Sequence, residues 1–179
     1  PDLNMYEIEI IAEINHAPRL SDKDIVAAAA SYRDSGANVI DLGCIPGESW
    51  QRAGDVTQIL RDAGFRVSID SFDRAEVELA VAAGAELVLS CNGTNLAWAA
   101  DLDAELVAIP DSPVDGDSLA HTVDILNERG KRFRIDPILE PIGFGFAASL
   151  SRYFDARRRW PDIEIMMGIG NVTELSEAD

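Results

Sequence analysis

The sequence predicts an α/β fold of the (β/α)8 barrel type, apparently truncated after the seventh strand. Short apolar, β-branched runs recur along the chain, and each is continuous enough to form a parallel strand that is buried on both faces. Segments rich in Ala and Leu separate these runs, and this alternation is typical of a parallel sheet covered by helices. Polar residues cluster where successive runs end, which favours a barrel over a doubly wound sheet. The first run is followed by Asn15-His16-Ala17-Pro18, where a dinucleotide-binding fold would carry glycines.

Seven runs are predicted to be strands. They are Ile8–Ile14, Asn38–Leu42, Arg66–Ile69, Glu86–Leu89, Leu106–Ile109, Phe133–Ile135 and Ile163–Met167. A (β/α)8 barrel usually needs about 200 to 250 residues, whereas this chain has 179 and ends soon after its seventh run. We therefore expect residues 1–179 to form one barrel domain that is part of a longer protein. An incomplete barrel has free sheet edges, so a homodimer is one expected way of pairing them.

The connecting segments carry signals that begin and end helices. Ser21 and Asp24 resemble a capping box at the start of the first helix, although Asp replaces the preferred Glu. Apolar residues then repeat at helical spacing as far as Gly36, which suits the left-handed position at a helix end. Asp73 and Glu76 form an acidic first turn for the third helix. The second, third and fifth helices are predicted to end at Gly64, Gly84 and Gly130.

Composition excludes several classes of function. The net charge of -17 repels nucleic-acid phosphates and anionic lipid headgroups, and no apolar run approaches the roughly 20 residues of a membrane span. Cys44 and Cys91 form no disulfide framework, and the chain opens on the polar Pro1–Asn4 rather than on a signal peptide, so we expect a cytoplasmic protein. Since His16 and His121 are the only histidines, a zinc site is not expected.

The candidate site consists of polar residues that follow successive runs. Carboxylates and carboxamides dominate, and these positions carry no evident nucleophile. Carboxylates can accept two N–H bonds from an amidine-like edge, and amides match a mixed donor and acceptor edge, so this set suits a flat nitrogen heterocycle. In chain order the residues are Asn15, Asp41, Asp70, Asn92, Asp111, Asp136 and Asn171.

Each of these residues also has a purely structural explanation. Asp70 can cap the helix that follows it, and Asp136, which precedes a proline, can hold its own turn. Asn92 begins an Asn-Gly pair that is common in turns. Asp41 can be a polar group inside the barrel, and His16 is more often a loop residue than a catalyst. The functional interpretation therefore depends on their shared location rather than on any one of them.

Several segments resemble the dihydropteroate synthases. Ala37–Gly43 and the following Gly47-Glu48-Ser49 are similar to the second strand and loop of that family, and Val67–Phe72 is similar to its third strand. Asp136-Pro137 with Ile142–Gly145 resembles the sixth strand and its glycine loop. The resemblance covers nearly the whole chain.

Two longer stretches resemble one subgroup of that superfamily. Ile135–Phe146 and Met167–Leu175 are similar to the dihydropteroate synthase-related proteins of organisms with tetrahydromethanopterin-linked one-carbon metabolism. The resemblance implies a pterin-binding barrel that serves tetrahydromethanopterin or folate biosynthesis.

The same resemblance assigns roles to individual residues. Asp70, Asn92, Asp136 and Asn171 would bind the pterin. Glu48 and Ser49 of the second loop, together with Asp41 and Gly143, would flank the ring, and Asn15 would lie near a substrate diphosphate and its Mg²⁺.

The resemblance leaves the reaction open. Synthases carry a Ser-Arg-Lys run after the seventh strand, where this chain has Gly170-Asn171-Val172-Thr173 and no cation. One alternative is a transferase that joins a pterin methyl diphosphate to p-aminobenzoate. Another is a pterin-dependent methyltransferase that hands a methyl group to a corrinoid protein, with Asn171 at the pterin nitrogen. A non-catalytic pterin-binding module is the third, and a barrel enzyme for a sugar phosphate, with Gly168-Ile169-Gly170 as its phosphate loop, is the fourth.

Overall fold

Six parallel strands alternate with helices in this computed structural model, which describes residues 8–172. The strands are β1 (Ile11–Ile14), β2 (Val39–Gly43), β3 (Val67–Asp70), β4 (Leu87–Cys91), β5 (Glu105–Ala108) and β6 (Phe133–Ile135). The helices are α1 (Asp22–Asp34), α2 (Ala53–Asp62), α3 (Arg74–Ala82), α4 (Leu96–Ala99), α5 (Gly116–Glu128) and α6 (Phe146–Arg159), with 3₁₀ turns at Ala17–Arg19 and Ile169–Val172. Within residues 8–172, no helix combines the length and apolarity needed to cross a bilayer.

The strand order follows the chain. The six strands form one parallel sheet in the order β1-β2-β3-β4-β5-β6. A doubly wound sheet reverses its order at a switch point, whereas a barrel adds each strand beside the preceding one. The order is therefore that of a barrel, and the predicted fold class is confirmed.

The seventh predicted strand is reduced to a single bridge. Ile165 forms an isolated parallel bridge with Ile135. The amide of Ile135 donates to the Glu164 carbonyl at 2.9 Å, and the amide of Met166 donates to the Ile135 carbonyl at 2.9 Å. A 3₁₀ turn begins at Ile169, so the extended segment ends before a second bridge forms. The end of the motif that spans Met167–Leu175, from Thr173 onward, lies outside the described residues.

The chain divides into two compact units, and the first contains the residues up to Leu89 with Leu102–Ala104. Its core is formed by strand residues and by the inner faces of α1 and α2. The fully buried side chains include Ile25, Ile40, Leu42, Leu60 and Ile69. Each contributes about 1.5–3 kcal/mol of transfer free energy when it leaves water, which is why the apolar runs became buried strands.

The second unit contains Ser90–Asp101 and the residues from Glu105 onward. Leu106, Leu126 and Ile135 form its fully buried core. A largely buried ion pair lies between adjacent strands, since the Arg134 guanidinium on β6 donates to the Glu105 carboxylate on β5 at 2.7 Å. Because the two opposite charges pair, both side chains can be largely buried without leaving an uncompensated charge in the core.

The predicted signals that delimit helices are present. The Ser21 hydroxyl accepts the Asp24 amide at 3.2 Å and donates to the Asp24 carboxylate at 2.6 Å. At the other end of α1, Gly36 has a φ of 107°, which a residue with a Cβ rarely adopts. The three other predicted stop glycines also have positive φ values. The serine N-cap and the four glycine stops are therefore confirmed, although the Asp24 carboxylate accepts the Ser21 hydroxyl rather than the Ser21 amide of a full capping box.

Replacing Ser21 with alanine should lower the free energy of unfolding by about 1 kcal/mol, because the first turn of α1 loses its cap. Urea denaturation followed by circular dichroism measures this change. Ser31→Ala, at an exposed position within the same helix, is the control and should change stability by less than about 0.5 kcal/mol. Equal losses in the two variants would contradict the capping role.

Candidate functional site

In the first unit, four polar side chains face one side of the sheet. The strand register places Glu13 of β1 beside Asp41 of β2 and Asp41 beside Ser68 of β3. Asp70 lies two residues beyond Ser68, so it points to the same face. Carboxylate oxygens of Glu13, Asp41 and Asp70 all lie within 4.8 Å of one another. The predicted residues Asp41 and Asp70 are thus neighbours, and the sequence analysis missed Glu13.

Asp41 is the most deeply buried member of this carboxylate cluster, with 2% of its surface exposed. The Ser68 hydroxyl donates to its Oδ1 at 2.6 Å. Burial raises the pKa of Asp41 well above its usual value, the charges of Asp70 and Glu13 raise it further, and the Ser68 hydrogen bond opposes them. The cluster therefore favours a proton on Asp41 rather than three adjacent negative charges.

Gly43, two residues after Asp41 on β2, provides space for the Glu13 side chain. A Cβ atom at Gly43 would collide with the Glu13 carboxylate. The Asp-Leu-Gly segment of β2 therefore combines a buried acid with a gap that accommodates a second acid. An acid near the end of the first run, Ile8–Ile14, which also carries Glu9, was the signal that could have identified Glu13.

Carboxylate oxygens are the preferred ligands of Mg²⁺ and Ca²⁺, so this cluster is where the described residues could hold a divalent cation. Asn15, predicted to lie near Mg²⁺ and a diphosphate, is exposed in the turn that follows β1. Its metal-binding role stays a prediction.

A pocket of about 450 Å³ opens beside Asp70. The second loop forms one wall with Cys44–Ser49, and the segment Asp70–Asp73 with Glu76 forms the other. Glu48 and Ser49 are exposed on the loop; Glu48 pairs with Arg19 at 3.3 Å. The residues that line this pocket include four carboxylates and no Lys or Arg, so its local field is negative.

Glu76 is a second acid that the sequence analysis assigned only to a helix turn. It is 2% exposed and accepts the Trp50 amide at 2.6 Å and the Ser71 hydroxyl at 2.5 Å. Burial, followed by the charge of Glu76 and a hydrogen bond to it, raises the pKa of the Cys44 thiol. Glu76 thus contacts both walls of the pocket.

In the second unit, Asn92 is 8% exposed and organises the turn that follows β4. Its Oδ1 accepts the Thr94 amide at 2.9 Å and the Thr94 hydroxyl at 2.7 Å. The backbone amide of Asn92 donates to Asn95 Oδ1 at 2.9 Å, and the backbone amide of Gly93 donates to Asp111 Oδ1 at 2.8 Å. Asn92 therefore has the predicted turn role, and its side-chain N–H groups are what it can offer a ligand.

Asp136 is 5% exposed and accepts several hydrogen bonds. The Tyr153 hydroxyl donates to its Oδ1 at 2.5 Å and the Ile138 amide donates at 2.8 Å, while the Gly168 amide donates to the same carboxylate. Burial raises the pKa of Asp136, and these donors oppose the shift. Asp136 also stabilises a strained turn, because Ile138 has a φ of 64°, which is rare for a β-branched residue.

Asn171 and Gly143 lie on segments that meet after β6. Asn171 is half-buried, and its Nδ2 donates to the Leu139 carbonyl at 3.2 Å. The Ile142 amide donates to the Val172 carbonyl at 3.2 Å, which ties the glycine loop to the 3₁₀ turn. Gly143 itself is exposed, with a φ of 87°.

Comparison with known proteins supports this architecture. No protein-family profile matches the chain. The dihydropteroate synthase from Stenotrophomonas maltophilia superposes with a TM-score of 0.70 at 19% identity, covering 91% of this chain and 72% of the other. The Burkholderia cenocepacia enzyme complexed with 7,8-dihydropteroate gives 0.68 at 21% identity, covering 93% and 77%. This chain has the dihydropteroate synthase fold.

Two further relatives extend the comparison. The dihydropteroate synthase from Anaplasma phagocytophilum was solved with bound 6-hydroxymethylpterin-monophosphate. It superposes with a TM-score of 0.62 at 22% identity, covering 89% of this chain and 78% of the other. An uncharacterized protein of Methanocaldococcus jannaschii is 31% identical over 196 residues, covering 97% of this chain. The chain spans only 37% of the length of that archaeal relative.

Proposed function

We propose that this chain binds a reduced pterin at the carboxyl ends of its parallel strands. The observation that carries the proposal is the position of the half-buried Asp70 at the end of β3. Asp70 belongs to the carboxylate cluster and also lines the second-loop pocket. Solved proteins of the same fold hold pterin compounds, including 7,8-dihydropteroate and 6-hydroxymethylpterin-monophosphate.

In this proposal, Asp70 of the first unit and Asn92, Asp136 and Asn171 of the second unit each supply a hydrogen-bonding group that suits a pterin. Asp70 supplies a carboxylate for two N–H groups of the aminopyrimidine ring. Asn92 supplies N–H donors for a lactam oxygen, since its Oδ1 is engaged with Thr94. Asp136 supplies a buried acceptor, and Asn171 supplies its Oδ1 because its nitrogen is bonded to Leu139.

We place this pterin in tetrahydromethanopterin or folate metabolism. The resemblance of Ile135–Phe146 and Met167–Leu175 to proteins of tetrahydromethanopterin-using organisms supports the first of these pathways. The negative pocket beside Asp70 opposes an anionic co-substrate that lacks a counterion. A synthase reaction here would require Mg²⁺ to neutralise the diphosphate leaving group.

Calorimetric titration with a reduced pterin tests the proposal. Binding should weaken on the order of tenfold or more in Asp70→Asn, because a hydrogen bond to a charged group is lost. Asp34→Asn removes the same charge at an exposed position of α1 and should bind like the parent. A folded parent that produces no binding heat, or equal affinity in Asp70→Asn, would overturn the pterin site.

Methyl transfer is the second candidate function. It is favoured by the half-buried Asn171 after the bridge at Ile165 and by the lack of a basic residue in Gly170–Val172. Positioning and protonation at a pterin nitrogen need no nucleophilic side chain. Diphosphate release in the presence of p-aminobenzoate would favour the synthase reaction, and methyl uptake by a corrinoid protein would favour methyl transfer. Tight pterin binding without either reaction would favour a non-catalytic module.

A further inference from the structure

We propose that Glu76 is a positioning residue that holds the second loop, Cys44–Trp50, against the turn between β3 and α3 and thereby shapes the pocket beside Asp70. The link to pterin binding rests on the proposed function, whereas the loop contact stands on the geometry of the first unit alone. The relevant contacts are the hydrogen bonds of the Glu76 carboxylate to Trp50 and Ser71.

The capping of α3 explains why the Glu76 carboxylate is available to bind the second loop. Asp73 is the N-cap of α3, and its Oδ1 accepts the Glu76 amide at 3.0 Å. In a capping box, the acid three residues after the N-cap bonds back to the N-cap amide. Here the Asp73 amide donates instead to the Ser71 hydroxyl at 2.9 Å. The Glu76 carboxylate is therefore not needed for the cap, and it bonds to the second loop.

The burial of Glu76 gives this contact its weight. Its carboxylate is almost completely enclosed, so it requires its hydrogen-bond donors more than an exposed acid would. The positive end of α3 adds favourable electrostatics in the first turn of the helix. One donor is the backbone amide of Trp50, and Trp50 is itself buried, with 8% of its surface exposed.

The side-chain ion pairs beside this loop are exposed. Glu48 pairs with Arg19 at 3.3 Å, and the neighbouring Arg52 pairs with Asp22 at 2.8 Å. All four of these side chains are more than 40% exposed, and exposed ion pairs contribute little to stability. On the inner side of the loop, the Cys44 amide donates to the Asp70 carbonyl at 3.1 Å, and the buried Glu76 carboxylate adds the side-chain restraint at the Trp50 end.

The first experiment measures the loop without any ligand. Trp98→Phe and Trp160→Phe leave Trp50 as the one indole of the 179-residue chain, and acrylamide quenching then reports its exposure. Glu76→Leu removes both acceptor oxygens at similar volume and should raise the quenching constant about threefold or more. Glu76→Gln retains one acceptor oxygen and should give an intermediate rise. Glu78→Gln, which changes an exposed glutamate of the same helix, should leave the constant unchanged.

Pterin titration of the same variants separates the two proposals. Glu76→Leu should weaken binding about tenfold, and Glu76→Gln should restore most of the affinity. An unchanged quenching constant in Glu76→Leu would overturn the positioning role, whatever the pterin result. A parent that binds no pterin would overturn the proposed function, while the quenching series would still decide the role of Glu76. Should Glu76→Leu fail to fold, the role is overturned if Glu76→Gln quenches like Glu78→Gln.

Discussion

Replacing Asp136 with alanine should lower the free energy of unfolding by about 2–5 kcal/mol. The substitution leaves the Tyr153 hydroxyl and the amides of Ile138 and Gly168 without their carboxylate acceptor. Each buried donor left without a partner costs about 1–3 kcal/mol, and losses within one network are not additive. The left-handed conformation of Ile138 adds to the cost, because the Asp136 hydrogen bond helps to hold it.

Urea denaturation at neutral pH measures this loss, and Asp136→Asn is the matched control. Asparagine retains an acceptor oxygen for Tyr153 and Ile138, so it should lose less than half as much stability as alanine. Equal losses in the two variants would contradict the acceptor role. Because Asp136→Asn should fold, pterin titration of this variant also separates the contribution of Asp136 to the turn from its contribution to a ligand.

Replacing Asp41 with asparagine should raise the free energy of unfolding by about 1–2 kcal/mol at pH 7, within the usual range of single stabilising substitutions. In the folded protein, burial and the charges of Asp70 and Glu13 raise the pKa of Asp41 above its usual value of 3.8. The folded state thus binds this proton more tightly than the unfolded chain does. The contribution of Asp41 to stability is therefore fully present below about pH 4 and is lost as the pH rises through the raised pKa.

Asparagine removes this decline because it carries no charge at any pH. Its oxygen can still accept the Ser68 hydroxyl, and its N–H groups can donate to the adjacent carboxylates. The gain over the parent should be near zero at pH 4 and grow toward pH 8, as measured by urea denaturation across this range. Asp34→Asn serves as the exposed control and should differ from the parent by less than about 0.5 kcal/mol throughout. Destabilisation by Asp41→Asn at every pH would contradict the proposed titration.

Local signals in the sequence were sufficient for most of the secondary structure. The predicted strand Phe133–Ile135 matches β6, and the serine cap and glycine stop delimit α1 as expected. These features depend on backbone preferences and on hydrogen bonds within a few residues, which the sequence pattern reports directly. The seventh run differs, because strand pairing depends on a distant partner, and only Ile165 lies in register with Ile135.

The candidate site could be predicted only in part. Asp41 and Asp70 were recognisable because they end or interrupt apolar runs, and the structure places them within one carboxylate cluster. The partners that define their chemistry were not recognisable. Glu13 comes from another strand and Tyr153 from a helix 17 residues beyond Asp136, so neither has a local signal that connects it with the acid it contacts.

By itself, the sequence determined the alternation of strands and helices, the positions of their caps and the acidic, amide-rich character of the strand ends. These are consequences of short-range backbone preferences and of hydrophobic periodicity. Only the tertiary structure decided that Asp41 lies buried beside two other acids and that Glu76 contacts the second loop. Burial, charge and hydrogen bonding between residues far apart in the chain set the chemistry of these groups, and that proximity exists only once the strands and loops have packed.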